Sequence, residues 1–363
     1  MLPHLGGPGD TALRSANDGT PQGTNRETTM QRTRRSVLFA LGSSALAGPG
    51  LSVAQATTDL KFGAMPLGSI WYVFAASFSK HLQPALPAGS KVDIIARGGG
   101  IGNPILVNEG KADVAFANVV TSVWAMNGED EIYKGKKYPN IRALLGGLNE
   151  VWIAGMLTEE YIKRTGHDTL EKALLSKEPP RVIMKPAGST VPPSVRIIFE
   201  SLGLTFDKYR AGGGQIIQID VSQIPNMMRN GRADLYFESV SPGHPATQEV
   251  SLTVPLRFLD LPEKSLKALS QNGLKVHPLP PSFKGQNGPT KAADFGTNLI
   301  VHKDMPDATA YAITKAVIEN RDVIVAENKA MEGFVAKDAW RPENVGIPLH
   351  PGAVRYYRER GWM

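Results

Sequence analysis

Arg97-Gly98-Gly99-Gly100-Ile101-Gly102-Asn103-Pro104 separates two segments of different pattern. Before it, Val92-Asp93-Ile94-Ile95-Ala96 reads as a buried strand; after it, Ile105 to Glu109 reads as a short helix. Glycines let backbone N–H groups approach a ligand with no Cβ in the way. Asn103 suits an N-cap and Pro104 the first helical position, so the loop is expected to end on a helix N-terminus, which favours anions. Arg97 adds a formal positive charge beside it. An ordinary glycine-rich βα turn would carry the same residues, so the flanking chain has to decide.

Upstream, Leu60 to Met65 reads as a strand, broken by Pro66-Leu67-Gly68-Ser69. Ser69 caps a helix with Trp71, Tyr72, Phe74, Phe78 and Leu82 at helical spacing. Downstream, Gly110 to Asn118 reads as a turn plus strand, Val119 to Met126 as a helix, and Arg142 to Leu148 and Val151 to Leu157 as two more strands. After Thr158 the pattern restarts: helix Leu170 to Leu175, strand Arg181 to Lys185, turn Pro186-Ala187-Gly188-Ser189-Thr190, helix Val195 to Leu202. A second glycine turn, Arg210-Ala211-Gly212-Gly213-Gly214, precedes helix Ile224 to Arg229 and the turn plus strand Gly231 to Glu238. Strand Val254 to Phe258 and helix Pro262 to Gln271 close this half. Strands alternating with helices predict α/β lobes with mostly parallel sheets.

The two halves repeat. Pro66-Leu67-Gly68-Ser69 matches Pro186-Ala187-Gly188-Ser189, Arg97–Gly100 parallels Arg210–Gly214, and Gly110-Lys111-Ala112-Asp113 matches Gly231-Arg232-Ala233-Asp234. Ligands of open α/β sheets bind at the carboxyl ends of strands. Two such lobes face to face make a cleft lined by both sets of βα turns. The expected domains are lobe 1 over 57–152, lobe 2 over 153–289, and a return to lobe 1 over 290–363 through strand Phe295 to Val301 and the C-terminal helices.

Residues 1–56 read as a leader: a Gly-, Thr- and Asn-rich segment, then Thr33-Arg34-Arg35-Ser36-Val37-Leu38-Phe39, which resembles a twin-arginine export signal. The apolar stretch from Val37 to Leu46 is too short to span a bilayer, and Ala54-Gln55-Ala56 offers a cleavage site, predicting a periplasmic chain beginning at Thr57. Translation starts at Met1 or Met30. The leader holds five Arg and three acidic residues, leaving 35 basic and 31 acidic residues. That balance is mild and scattered, which argues against nucleic-acid binding and suits small anions. The absence of Cys excludes disulfides, thiolate nucleophiles and Cys-ligated metals.

Catalytic signatures are missing. The seven His include no i,i+4 pair, and the chain after residue 56 has no Gly-x-Ser-x-Gly elbow and no Walker A run. Gly98-x-Gly100 lacks the third glycine of a dinucleotide fingerprint. No catalytic residue, metal ligand or cofactor is therefore expected. Ser69 and Ser189-Thr190, in matched positions, are plain caps or donors to a carboxylate. Trp71 and Tyr72 belong to core or wall the pocket. Arg97 is a solvated loop charge or a bidentate carboxylate clamp; as a clamp, its loss would weaken binding at least about tenfold, roughly 1.4 kcal/mol. Asn118 ends a strand. Glu238, one position short of the Asn118 counterpart, is an ion-pair partner or an acceptor for a ligand ammonium or hydroxyl.

Gly68-Ser69 with Trp71-Tyr72, the glycine loop ending at Asn103, Gly110–Asn118, Gly188-Ser189-Thr190, Gly231–Phe237, Gly243-His244-Pro245 and the tail His350-Pro351-Gly352-Ala353 with Tyr356-Tyr357 together resemble the TAXI group of solute receptors, the binding subunits of TRAP transporters. The resemblance spans Thr57 to Gly361. It implies a periplasmic two-lobe fold of the type II binding-protein kind, joined by a hinge, a small acidic ligand, and delivery to a sodium-coupled permease. Two departures fall at ligand positions: Ala64-Met65-Pro66-Leu67-Gly68 replaces a Gly- and Thr-rich run, and Ile101-Gly102 replaces Gly-Ser before the Asn. They bear on which ligand binds.

The expected ligand-binding set is Gly68, Ser69, Trp71, Tyr72, Arg97, Gly99, Gly100, Asn103, Asn118, Gly188, Ser189, Thr190 and Glu238. The expected function is a monomeric receptor for a dicarboxylate, 2-oxoacid or acidic amino acid, working with TRAP-type permease subunits. The alternatives are an ABC-type receptor for a sulfonate or vitamin precursor, a sensor presenting its closed form to a membrane kinase, and a periplasmic enzyme on the same scaffold.

Overall fold

The computed structural model describes residues 57–363. The leader, export signal, cleavage site and alternative start lie outside the described residues. Twelve strands follow in order: β1 Leu60–Gly63, β2 Val92–Ile95, β3 Val114–Ala117, β4 Ile141–Leu145, β5 Trp152–Thr158, β6 Arg181–Met184, β7 Gln215–Gln218, β8 Leu235–Val240, β9 Leu256–Leu259, β10 Lys275–Val276, β11 Ala293–Asp294 and β12 Asn298–His302.

They form two sheets, one per lobe. Lobe 1 has the order β2-β1-β3-β12-β4, with β2, β1 and β3 parallel and β12 antiparallel to both β3 and β4. Lobe 2 has β7-β6-β8-β5, with β7, β6 and β8 parallel and β5 antiparallel to β8. Strand β9 pairs with one end of β5 and β11 with the other, and β10 extends β11. The sheets match strand for strand: β1 with β6, β2 with β7, β3 with β8. The antiparallel strands β12 and β5 are those that enter each lobe from the other.

Two of the three sequence repeats are explained by this match. Asp113 and Asp234 each precede the third strand of their trio. The Asp113 carboxylate accepts from Lys61 N at 2.7 Å and that of Asp234 from Arg181 N at 2.9 Å, so each stitches its strand to the central one. Gly110 and Gly231 provide the left-handed turns that reach them, at φ 66° and 62°. Pro66–Ser69 and Pro186–Ser189 follow β1 and β6. The third parallel fails. Arg97–Gly100 follows β2, whereas Arg210–Gly214 precedes β7, at the opposite end of its sheet. There Gly214 lies against the Tyr209 ring, a position a Cβ would fill at 2.4 Å.

Strands β3 and β5 are buried along their whole length, as expected of strands covered on both faces. Phe116 on β3 collects Phe62, Trp71, Phe74 and Phe78 at centroid distances of 4.9–6.1 Å, which orients the helix Ile70–Leu82 over the sheet. Two chain crossings join the lobes, 146–151 and 295–297. They are stapled together: Asp294 Oδ1 accepts from Val151 N at 2.6 Å and Gly296 N at 2.9 Å, and Phe295 N donates to Val151 O at 2.9 Å. The C-terminal helix Pro351–Glu359 packs on lobe 1, where Tyr357 donates to Leu144 O at 3.0 Å.

Candidate ligand site

The lobes are closed on each other. Gly188 O of lobe 2 accepts from Ile101 N at 3.1 Å and Gly102 N at 3.2 Å of lobe 1, and Arg196 pairs with Glu131 across the rim at 3.1 Å. Between them lies a cleft lined by Met65, Ser69, Ile70, Trp71, Gly100 and Asn118 from lobe 1 and by Lys185, Thr190, Ser239 and His244 from lobe 2, with Val151 at the hinge. These are residues at the carboxyl ends of the central strands, where α/β sheets take ligands. The enclosed space is about 10 Å³, the scale of one water molecule, so an organic solute enters only when the lobes separate.

The repeat register pairs the cleft residues. Met65 and Lys185 both precede the proline of their turn, and Asn118 and Ser239 occupy the same place after or within the third strand. Where lobe 1 presents a thioether, lobe 2 presents an ammonium. Lys185 is buried, and its Nζ lies 2.6 Å from Glu238 Oε1 and donates to Ser239 Oγ at 3.0 Å. Glu238 is wholly buried and its oxygens are taken: Oε1 also accepts from Ser239 N at 2.7 Å and Oε2 from the Tyr236 hydroxyl at 2.8 Å. Burial alone would raise the Glu238 pKa. The Lys185 charge and these hydrogen bonds outweigh it and hold the carboxyl below its usual range. Buried Tyr236 is pushed well up and stays a donor. Lys185 retains one further N–H for the cleft, since an ammonium carries three.

Three more donors converge here. His244 is wholly buried at the N-cap of helix Pro245–Thr253, and its Nδ1 accepts from Thr247 N at 3.3 Å. The Thr247 hydroxyl also lies 3.0 Å from Nδ1; with the N–H and the O–H both directed there, the neutral ring carries its proton on Nε2. That Nε2 has no hydrogen-bond partner among the described residues. Burial, against the pull of Glu238, pushes the His244 pKa down to about 4, so the ring is neutral at ordinary pH. Trp71 Nε1 is likewise buried without a partner among the described residues. Ser69 Oγ accepts from Tyr72 N at 3.3 Å, which leaves its proton free to donate. Among the acceptors, Asn118 Oδ1 takes the Thr190 hydroxyl at 3.4 Å. This lining is built to receive a hydrogen-bond acceptor. Gly100 lets the loop close on it, because a Cβ there would sit 2.5 Å from Asn118 Oδ1 and from Thr190 Cγ2.

Of the residues expected from sequence, Ser69, Trp71, Gly100, Asn118 and Thr190 line the cleft. Gly99 and Gly188 meet at the lip, Gly68 faces Val221 and Ser222 across the gap, and Tyr72 is half-buried outside the lining. Ser189 turns away to donate to Pro186 O at 3.0 Å. Three expectations are corrected. Arg97 is exposed, outside the lining, and has no ion pair among the described residues: it is the solvated loop charge. Asn103 is not an N-cap but lies inside the helix Gly102–Asn108, fully buried. Its amide donates to Ala64 O at 3.0 Å and Phe116 O at 2.8 Å and accepts from Gly99 N at 3.1 Å, clamping the loop to β1 and β3 with nothing left for a ligand. Glu238 lies beneath the site and compensates Lys185. The reading of the sequence missed Lys185, Ser239 and His244, together with the apolar Ile70 and Val151; Met65 lies in the departing run already placed at ligand positions.

No helix among the described residues is long and apolar enough to cross a membrane, and no group of His, Asp or Glu among them is placed to hold a metal ion. A sequence profile described as the NMT1-like family matches residues 62–361. Among solved structures, a protein from Bordetella bronchiseptica RB50 is 14% identical, over 84% of this chain and 98% of that one, with a TM-score of 0.48. A TRAP periplasmic solute binding protein from Pseudomonas aeruginosa PAO1, with bound L-malate, is 12% identical over 83% and 96% at TM-score 0.43. The periplasmic aliphatic sulphonate binding protein SsuA from Escherichia coli is 13% identical over 84% and 79% at TM-score 0.36.

Proposed function

Because this chain belongs to the NMT1-like family, we propose that it is an extracytoplasmic solute receptor that closes two lobes over one small organic anion and makes or breaks no bond. The observation that carries this reading is the donor-rich lining: Lys185 Nζ, Trp71 Nε1–H, His244 Nε2–H and the Ser69 hydroxyl, with the Glu238 carboxylate beneath it already bonded. Hydrogen bonds to a charged partner are the strong ones, so unpaired buried donors favour a carboxylate or sulfonate over a neutral solute. Glu238 neutralises Lys185 and leaves no net charge in the pair, which suits a monoanionic head. A 2-oxoacid offers acceptors at every polar atom. An amino acid brings an ammonium that meets no unpaired carboxylate in this lining, and is disfavoured. Ligand binding drives closure through the Gly188 latch, as in hinge-closing receptors.

Delivery to a TRAP-type permease is supported by the sequence resemblance to TAXI receptors, and export by the twin-arginine-like run Thr33–Phe39 with Ala54-Gln55-Ala56 behind it. Uptake by permease subunits encoded beside this chain, dependent on the loaded receptor, is the expected result.

Isothermal titration against monocarboxylates, 2-oxoacids, dicarboxylates, acidic amino acids and alkylsulfonates tests the reading. Saturable heat is expected from a 2-oxoacid or monocarboxylate, little from glutamate, and no turnover of the bound solute. Silence from every anion, with folded protein, contradicts the proposal; saturation by a sulfonate alone moves it to the ABC-type reading.

A further inference from the structure

The repeat that relates the two lobes also shows what lobe 1 lacks. The offset that places Gly68 over Gly188 places Met65 over Lys185 and Ile70 over Thr190, and all four of these side chains line the cleft. They follow β1 and β6, the central strands of the two parallel trios, so the positions are structurally equivalent. Each is polar in lobe 2 and apolar in lobe 1. Lys185 is the one formally charged side chain of the lining, and Glu238 beneath it answers that charge at 2.6 Å. Arg97 is exposed outside the lining, and the hinge acids Glu150 and Asp294 border a separate cavity of about 480 Å³ on the far side of the crossings. Lobe 1 therefore brings the solute no charge.

What it brings instead is a hydrocarbon wall. Met65 packs with Trp71 in the lobe 1 core and reaches the lip, where its Cε lies 3.3 Å from the place a Cβ on Gly99 would take. Methionine is unbranched and fits itself to irregular neighbours. Half-buried Ile70 extends the wall. An alkyl chain laid on this surface leaves water, which is worth about fourfold in affinity for each methylene buried. A second carboxylate in the same place would be buried with no counter-charge, which is unfavourable.

We propose that Met65 is a specificity-determining residue and that the solute is a monocarboxylate, a 2-oxoacid above all, ending in a short aliphatic chain. The inference rests on the anion reading of the cleft and adds the other end of the molecule. The carboxylate and oxo group take the donors around Lys185 and His244, and the chain lies against Met65 and Ile70 when lobe 1 closes over it. Dicarboxylates of the same length are rejected at that end.

The test is calorimetric titration of the whole chain with 2-oxopentanoate, 2-oxoglutarate and pyruvate. The first two differ in ending on a methyl or on a second carboxylate, and pyruvate has the same head without the chain. 2-Oxopentanoate is expected to bind several-fold tighter than pyruvate and at least about tenfold tighter than 2-oxoglutarate. Met65→Lys places an ammonium at the position equivalent to Lys185 and should raise 2-oxoglutarate at least about tenfold relative to 2-oxopentanoate. Met65→Ala, which buries no charge, should weaken 2-oxopentanoate several-fold more than pyruvate. Binding of 2-oxoglutarate as tight as that of 2-oxopentanoate, or an equal loss of pyruvate and 2-oxopentanoate in Met65→Ala, overturns this inference and leaves the anion reading standing. No saturable binding of any of the three, nor of the other anions of the panel, overturns both.

Discussion

Val151 and Trp152 are neighbours in the chain and line different cavities, the cleft and the hinge pocket. Asn118 and Val119 divide the same way. The same crossings thus separate two chemistries. On the cleft side a buried Lys185–Glu238 pair and unpaired N–H donors surround a closed space. On the far side acids predominate around an open one. The two histidines record the difference. Burial pushes His244 down, whereas the Asp294 hydrogen bond and the Glu150 charge, against burial, raise His277 above its usual value. A donor-rich site and an acidic site divided by one hinge differ through desolvated donors rather than through net positive charge, and the proposed anion selectivity rests on that difference.

The largest break in this comparison is Lys185→Met. It strands a buried carboxylate, and removing one partner of a buried pair costs about 3–5 kcal/mol. Denaturant unfolding should show that loss, and Lys185→Met with Glu238→Gln should regain most of it. A double variant no more stable than the single would mean that the pair is not what the cleft is built on.

Next is pH. Folded His244 titrates near 4 and an unfolded His near 6.5, so the unfolded chain binds the extra proton between those values. Stability from this residue is whole above pH 6.5 and lost as pH falls through about 4, on the order of 3 kcal/mol. His277 acts in the opposite sense: its contribution is present below pH 6.5 and lost as pH rises through its raised value. Unfolding of His244→Gln and His277→Gln across pH 4–8 should flatten opposite limbs of the profile; the same limb in both would erase the contrast.

A smaller effect is expected from Trp71→Phe, which keeps the ring against Phe116 and deletes the Nε1 donor. Loss of a hydrogen bond to a charged group costs about 1.5–3 kcal/mol, so anion affinity should drop at least about tenfold in titration while the melting temperature barely moves. Arg97→Ala should change affinity less than about twofold, because the guanidinium is exposed outside the cleft. A tenfold loss would return Arg97 to the site.

The lobes and their repeat were legible because strand alternation and turn residues are local signals. Asp113 and Asp234 recur because each does the same stitching in its own sheet, and identity between halves marks that shared architecture. Chemistry sits where the halves differ. The 120-residue offset that aligns Gly68 with Gly188 also aligns Met65 with Lys185, so the ammonium was one position from a residue already singled out. Asn103 was misread because capping rules describe neighbours in sequence, whereas its amide reaches the carbonyl of Ala64, just past β1, and that of Phe116 on β3. Arg97 drew attention as a lone charge beside glycines, and only the third dimension shows that its strand end points past the cleft. Gly243-His244-Pro245 was visible as a family-like motif, but a histidine at an N-cap declares its free Nε2 only once Thr247 N is seen on Nδ1.

The central claim is that buried donors on the Lys185 side of the hinge hold the anion. Titration of the doubly substituted Lys185→Met, Glu238→Gln protein with the best anion of the wild-type panel tests it most directly, because this variant removes the ammonium without stranding the carboxylate. Folded like wild type, it should bind at least about tenfold more weakly. A folded double variant that binds the anion as tightly as wild type would contradict the account.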